Sequence, residues 1–420
     1  MTTIIRFISG TVLTILLLAT TSCSSDDDET FIQPDPTGIQ TQEDLSAYLE
    51  EVIETQEIAG FAVSIAQGNT IDYKTSFGFK NIETQRAFNN QTVINIASLS
   101  KSFVGAATAK AIEQGYFTLD TPINGLLPVE IVNLENPDAV IRVRHLVTHT
   151  SGIVDDQSTY LQANYFVLLN QDMSTTGANI LTSPLGLEVM NPVPLEEYLA
   201  EYFLEDGELY GNSNFIDVEP GETWAYSNVA TSLMGFVIES ATEEDFASYV
   251  ATHILSPLQM NNSTFNVTEV NQEGWAIPYL DKNTPLPFYG NHGYPEGSIY
   301  TTNDDLANYL LDMTKGIKGQ SNTLFGTAFY ELLFTPQLDA GIVPDGFAEN
   351  HGLYWYKKGN SWVHSGNSLG VSSHMEIKTD GSSGFFVIAN MDATFSDNTP
   401  IWEAVLQLIK EGVQEYLHNN

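Results

Sequence analysis

Ser98-Leu99-Ser100-Lys101 begins a stretch, running to Gln114, from which the rest of the chain can be read. Phe103, Val104, Ala107 and Ala111 recur at the spacing of one helix face, and Gly115 supplies a stop. A helix is therefore predicted from Ser98 to Gln114. Residues three apart share a face at a helix start, so Ser98 and Lys101 meet there. A serine hydroxyl is a poor nucleophile until a base takes its proton. A lysine can be that base when burial or a neighbouring cation lowers its pKa from about 10.4. The helix N-terminus adds a field that favours negative charge on the serine oxygen. Ser-x-x-Lys is a weak signal alone, but of the 11 lysines only Lys101 has a serine three residues before it.

Upstream, Gly60 to Ile65 and Thr70 to Phe77 read as two strands, with Gly68-Asn69 near the turn. Downstream, Tyr116 to Trp224 is rich in turn residues and short apolar runs, the pattern of an irregular, mostly helical insertion. Helices are predicted at Val229 to Ser240 and Glu244 to Leu255. The last third returns to strands. Trp355-Tyr356 and Trp362-Val363 flank the polar turn Lys357-Lys358-Gly359-Asn360, and Val371 to Ile377 and Gly384 to Asn390 continue the sheet. Pro400 to Tyr416 has the pattern of a closing amphipathic helix. Strands at both ends with helices between predict an α+β fold: one antiparallel sheet built from both ends, flanked by helices, with a helical subdomain inserted.

The 420 residues carry 53 acidic against 15 basic side chains, a net charge of −38. Such a chain repels phosphate backbones, which argues against nucleic acid as a partner. Its one cysteine, Cys23, permits no intrachain disulfide and no cysteine-based metal cluster. The histidines other than His149 are scattered, so neither a metal nor a cofactor is expected. Arg6 followed by the short apolar run Ile8 to Ala19 reads as a signal peptide over 1–22. That run is too short to span a bilayer, which takes about 20 residues. Cys23 sits where a bacterial lipoprotein signal places its lipidated residue, although Thr20 departs from the usual aliphatic residue; plain secretion is the alternative. Residues 23–42, with Asp26-Asp27-Asp28-Glu29, Pro34 and Pro36, form an acidic tether. The expectation is an exported protein that meets the membrane only through a lipid on Cys23. Its folded domain spans 43–420, with an α/β part over 43–115 and 270–420 and the insertion over 116–269.

Two further motifs carry chemistry. Tyr-x-Asn occurs at Tyr210, Tyr226 and Tyr289, and context selects Tyr226-Ser227-Asn228, which follows Pro220-Gly221 and Trp224 and directly precedes a helix. A phenol beside the serine can relay protons, and an amide can hold the substrate. The third element is His364-Ser365-Gly366-Asn367, on the strand after the hairpin. A strand edge there can offer a backbone N–H to an oxyanion, and His364 can orient the tyrosine or hold a substrate carboxylate. Two look-alikes are set aside. Ser396-Asp397-Asn398 falls after the His364 element, and Lys357-Lys358-Gly359 lies in a predicted turn.

In this order, the three elements resemble the serine β-lactamase and penicillin-binding superfamily, most closely its class C β-lactamase, D-alanyl-D-alanine carboxypeptidase and esterase branch. His145-Leu146-Val147-Thr148-His149-Thr150-Ser151-Gly152, Pro220 to Asn228, Pro257-Leu258-Gln259-Met260 and Gly297 to Thr302 add to the resemblance, which runs from about Leu45 to Leu417. It implies a β-lactamase/transpeptidase-like fold and a serine hydrolase that acts on a small-molecule or peptide substrate. Ser98 would be the acylated nucleophile, with Lys101 and Tyr226 sharing the base work and Asn228 positioning Lys101 and the substrate. The backbone N–H groups of Ser98 and Asn367 would form the oxyanion hole, and Gly366 would belong to the same oxyanion and substrate-binding stretch. His149 would be structural. His364 stands where β-lactamases of this branch usually have lysine, which turns the expectation toward an esterase or a peptidase acting on cell-wall peptides. A surface binding protein that keeps the fold without turnover is the non-enzyme alternative, and the three intact elements argue against it.

Overall fold

The computed structural model describes residues 33–56, 58–395 and 397–420. The signal segment and Cys23 lie outside these residues, as does Ser396 of the Ser-Asp-Asn look-alike. The Thr41 hydroxyl accepts the Asp44 N–H at 3.1 Å, and the Asp44 carboxylate accepts the Thr41 N–H at 2.9 Å. This reciprocal cap opens helix α1 (Gln42–Thr55). Gly68 and Asn69, both at positive φ, make the two-residue turn between β1 (Gly60–Gln67) and β2 (Thr70–Asn81). β3 (Arg86–Ala87) pairs with the far side of β2.

The other strands of this sheet come from the end of the chain. They are β4 (Asn350–His351), β5 (Tyr356–Lys358), β6 (Ser361–Ser368), β7 (Val371–Lys378) and β8 (Ser383–Ala389). The order across the eight-stranded sheet is β4-β5-β6-β7-β8-β1-β2-β3. β1 and β8 join antiparallel, with Phe61 opposite Ala389 and Gln67 opposite Ser383. The two ends of the chain therefore build one antiparallel sheet in an α+β fold.

β1 is buried along nearly its whole length because both of its faces are covered. Phe61, Val63 and Ile65 join Phe385 and Val387 of β8, Leu45 and Leu49 of α1, and Leu408 and Ile409 of the last helix. Ala62 and Ala66 face the opposite core with Phe386 and Ile388. That core holds α2 (Lys101–Glu113), α3 (Asn228–Thr242) and α4 (Asn303–Ile317), and α5 (Thr399–Asn419) closes the first face. The small residues on the α4 side let Ser64 reach Asn303, hydroxyl to side-chain oxygen, at 2.7 Å. α2 is surrounded: from Lys101 to Ala109 every residue is buried.

Several boundaries differ from the sequence reading. The predicted helix from Ser98 begins as a 3-10 turn, Ala97–Ser100, and becomes α-helical only at Lys101. Lys357 and Lys358 belong to β5 rather than to the turn, whose left-handed residue is Gly359. The helix read from Glu244 starts at Phe246, capped by Asp245, and ends in a π turn, Ala251–Leu255. Between Tyr116 and Trp224 the helices are short, and Leu195–Phe203 is the longest. Tyr165–Val167 also forms a small sheet with Glu188–Val189 and with Tyr289–Asn291.

Candidate active site

Ser98 is set by the turn before α2. Ala97 has φ 49°, a left-handed conformation that a non-glycine residue adopts at a cost of about 1–2 kcal/mol. The Asn95 side chain holds this turn by accepting the Ala97 N–H at 2.7 Å and donating to Gly297 O at 3.0 Å. β6 presses against it: a Cβ built on Gly366 would lie 2.4 Å from Ile96 O and 2.7 Å from Ser98 N. Ser373 of β7 donates to Ile96 O at 2.6 Å. Only a residue without a side chain lets the strand approach the nucleophile's backbone this closely. Next along β6, Asn367 is solvent-exposed.

Two groups converge on Ser98 Oγ. The Tyr226 hydroxyl donates to it at 2.8 Å, and Lys101 Nζ stands 3.2 Å away. Lys101 has no exposed surface. Burial lowers its pKa, and the Glu296 carboxylate opposes that shift. Burial pushes the Tyr226 phenol well above its usual range, helped by Glu296 and Asp155 and opposed by its bond to Ser98. At neutral pH Tyr226 is therefore a phenol. Lys101 Nζ also bonds Asn228 Oδ1 and Glu296 O, each at 2.7 Å, and Glu296 Oε2 at 3.2 Å. It lies 4.9 Å from the Tyr226 ring centroid.

The Tyr226 loop is held by the His149 segment. His149 O accepts the Ala225 N–H, and Thr150 O accepts the Gly221 N–H, both at 2.8 Å. His149 is itself left-handed, fully buried and 4.6 Å from the Tyr226 ring, and its Nδ1 accepts the Ser227 N–H at 3.3 Å. Its surroundings are those of a scaffold residue. His145 and His149 stand four apart, a pair the sequence reading passed over, and His145 Nδ1 accepts the Arg142 N–H. Among the described residues no group of three or more His, Cys, Asp or Glu is arranged to hold a metal ion.

His364 lies in the interior. It is 1% exposed and stacks on Tyr356 at 4.8 Å, with Nδ1 2.8 Å from Ser365 O. Burial, helped by the nearby Lys101, holds its pKa well below the usual histidine range. A buried neutral ring offers no cation to a substrate carboxylate. Ser365 and Asn367, rather than His364, are the exposed residues of this strand.

Sequence reasoning missed two carboxylates. Asp155 accepts from Ser227 Oγ, the Asn228 and Val229 N–H groups and Asn228 Nδ2, all at 2.9–3.0 Å. It caps α3 and fixes the amide so that Oδ1 faces Lys101. Glu296 is 2% exposed. Its Oε1 accepts from Tyr160 OH at 2.6 Å, Asn164 at 2.9 Å and Asn291 at 2.8 Å. Asn291 belongs to one of the set-aside Tyr-x-Asn copies, whose Tyr289 bonds Ser368 and Leu369 instead. The only sequence signal for Glu296 was its place directly before Gly297 to Thr302.

The beta-lactamase family model matches residues 45–409. Protein flp of Staphylococcus aureus strain MW2 is 22% identical over 84% of this chain and 64% of its own length. The chain thus spans less than two thirds of that relative. Esterase EstB of Burkholderia gladioli is 26% identical over 56% of this chain and 54% of its own. Among solved structures, the octameric penicillin-binding protein homologue from Pyrococcus abyssi superposes with a TM-score of 0.65 at 24% identity. That superposition covers 87% of this chain and 76% of the other.

Proposed function

Since the chain belongs to the beta-lactamase family, we propose that it is a serine hydrolase that cleaves an ester or amide through an acyl-enzyme on Ser98. The observation that carries this reading is the position of Ser98 Oγ, 2.8 Å from the Tyr226 hydroxyl and 3.2 Å from a buried Lys101 Nζ. The Ser98 proton passes to the lone pair of neutral Lys101 as Oγ bonds the substrate carbonyl carbon. The carbonyl π electrons move onto oxygen, which accepts hydrogen bonds from the backbone N–H groups of Ser98 and Asn367. As the tetrahedral adduct collapses, the leaving group takes a proton from Lys101 by way of the Tyr226 hydroxyl. Water then repeats the sequence on the acyl-enzyme. A positioned base supplies about 10²- to 10⁴-fold, and one oxyanion donor about 3–4 kcal/mol.

His364 favours an ester or amide over a peptide recognised by its terminal carboxylate. A neutral, buried ring argues against a carboxypeptidase reading, and the similarity to an esterase argues the same way. The test is a panel of acyl esters, D-amino-acid peptides and β-lactams, run with a fluorophosphonate label on wild type and Ser98→Ala. Wild type is expected to turn over short acyl esters and take the label. Ser98→Ala is expected to lose on the order of 10³-fold or more. Wild-type turnover by Ser98→Ala would sink the assignment, and D-peptides cleaved in preference to esters would restore the carboxypeptidase reading.

A further inference from the structure

Four oxygen atoms surround Lys101 Nζ, and their distances fall into two pairs. Asn228 Oδ1 and Glu296 O are 2.7 Å away. Ser98 Oγ and Glu296 Oε2 are 3.2 Å away. The first two can only accept. The amide orientation is fixed because Asn228 Nδ2 faces the Asp155 carboxylate. A neutral amine has two N–H groups and one lone pair. With both N–H groups on the two near acceptors, the lone pair is left for the Ser98 proton. Taking that proton gives the nitrogen a third N–H, directed at Ser98 Oγ, and a positive charge that Glu296 Oε2 faces at 3.2 Å.

We propose that Glu296 is the counter-ion for the charge Lys101 acquires when it deprotonates Ser98, a positioning residue that strengthens the base without touching substrate. The inference rests on the reading of Ser98 and Lys101 as the catalytic pair. Three donors hold Glu296 Oε1, from the insertion and from the strand carrying Asn291, which leaves Oε2 to face Lys101. The salt bridge is almost wholly enclosed, so solvent screens it little. Two consequences oppose each other. The carboxylate favours the ammonium form, so less of Lys101 is neutral at low pH. It also makes the neutral fraction a stronger base, so the rate above the lysine pKa is higher.

The other groups that face the pair do not account for such behaviour. Lys101 also lies near Asp155, through Asn228, and near Tyr226, His149 and His364. Glu296 also faces Tyr160, Tyr165 and Tyr198. The tyrosines are shifted upward by burial and the two histidines downward. None of the four donors to Asp155 comes from Glu296.

The test is the pH dependence of Ser98 labelling by a fluorophosphonate, measured for wild type, Glu296→Gln and Glu296→Asp. In Glu296→Gln the acidic limb is expected to move down by about one pH unit or more. The alkaline plateau is expected to fall roughly tenfold. Glu296→Asp keeps the charge, and its limb is expected to return toward wild type. A purely structural role lowers the whole curve and leaves the limb in place, and that result overturns the inference. If Glu296→Gln does not fold, Tyr160→Phe takes its place. Losing one donor leaves more charge on the carboxylate facing Lys101, so the limb is expected to move up, and an unmoved limb counts against the inference. Wild type that takes no label at any pH overturns the Ser98 reading and this inference with it. Labelled wild type with an unmoved Glu296→Gln limb overturns this inference alone.

Discussion

Gly366 is the residue at which the sheet and the nucleophile come closest. Its missing side chain leaves room that Ile96 O, Ser98 N and Ser373 Oγ occupy. Two of these three atoms are backbone, so an alanine there cannot be relieved by a rotamer change. Gly366→Ala is expected to push β6 off the Ser98 turn and slow Ser98 labelling by on the order of 10²-fold. Measured labelling rates check this, and a wild-type rate would contradict the close approach. Ser98, Lys101 and Tyr226 were legible because spacings along one helix or one loop show in the chain itself. Glu296 and Asp155 were not, because each meets its partner only after distant segments pack. Tyr160 and Asn164 reach Glu296 from more than 130 residues away. The burial of His364 was hidden for a related reason. Its type was visible, but its burial depends on Tyr356 stacking across the hairpin.

At the scale of elements, α3 shows how one carboxylate can serve both fold and site. Asp155 takes the first two N–H groups of the helix and the Asn228 side chain. Asp155→Ala leaves these donors unpaired and frees Asn228 to rotate away from Lys101. A loss of about 1–3 kcal/mol is expected in denaturant unfolding, with a fall in turnover larger than the rise in KM. Equal stability of variant and wild type would show that water replaces the cap. The hairpins and the closing helix were readable because strand runs, a Gly-Asn turn and helical apolar spacing are local signals. The 3-10 start of the nucleophile turn was not, since it depends on Asn95 and Gly297 holding Ala97 left-handed. Nor was the small sheet of Tyr165–Val167, whose partners lie on either side of it in sequence.

Across the whole molecule, acid sensitivity follows from the buried histidines. His149, His351 and His364 are at most 1% exposed, and burial lowers all three pKa values, His351 to about 4. In the unfolded chain they titrate near 6.5. Below that pH the unfolded state binds protons that the folded state refuses, so stability is full above about 6.5 and is lost as pH falls toward 4. Thermal melting between pH 8 and pH 5 is expected to show a falling midpoint, and a flat midpoint would contradict it. The eight-stranded sheet has a consequence of another kind, in the order of synthesis. Ser98 is made before the strand that lies against it and before β8, which pairs with β1. A nascent chain that ends before residue 361 has its serine and lysine but lacks the strand that completes their pocket, and it leaves one edge of β1 unpaired. The fold thus ties the appearance of a reactive serine to the translation of β6.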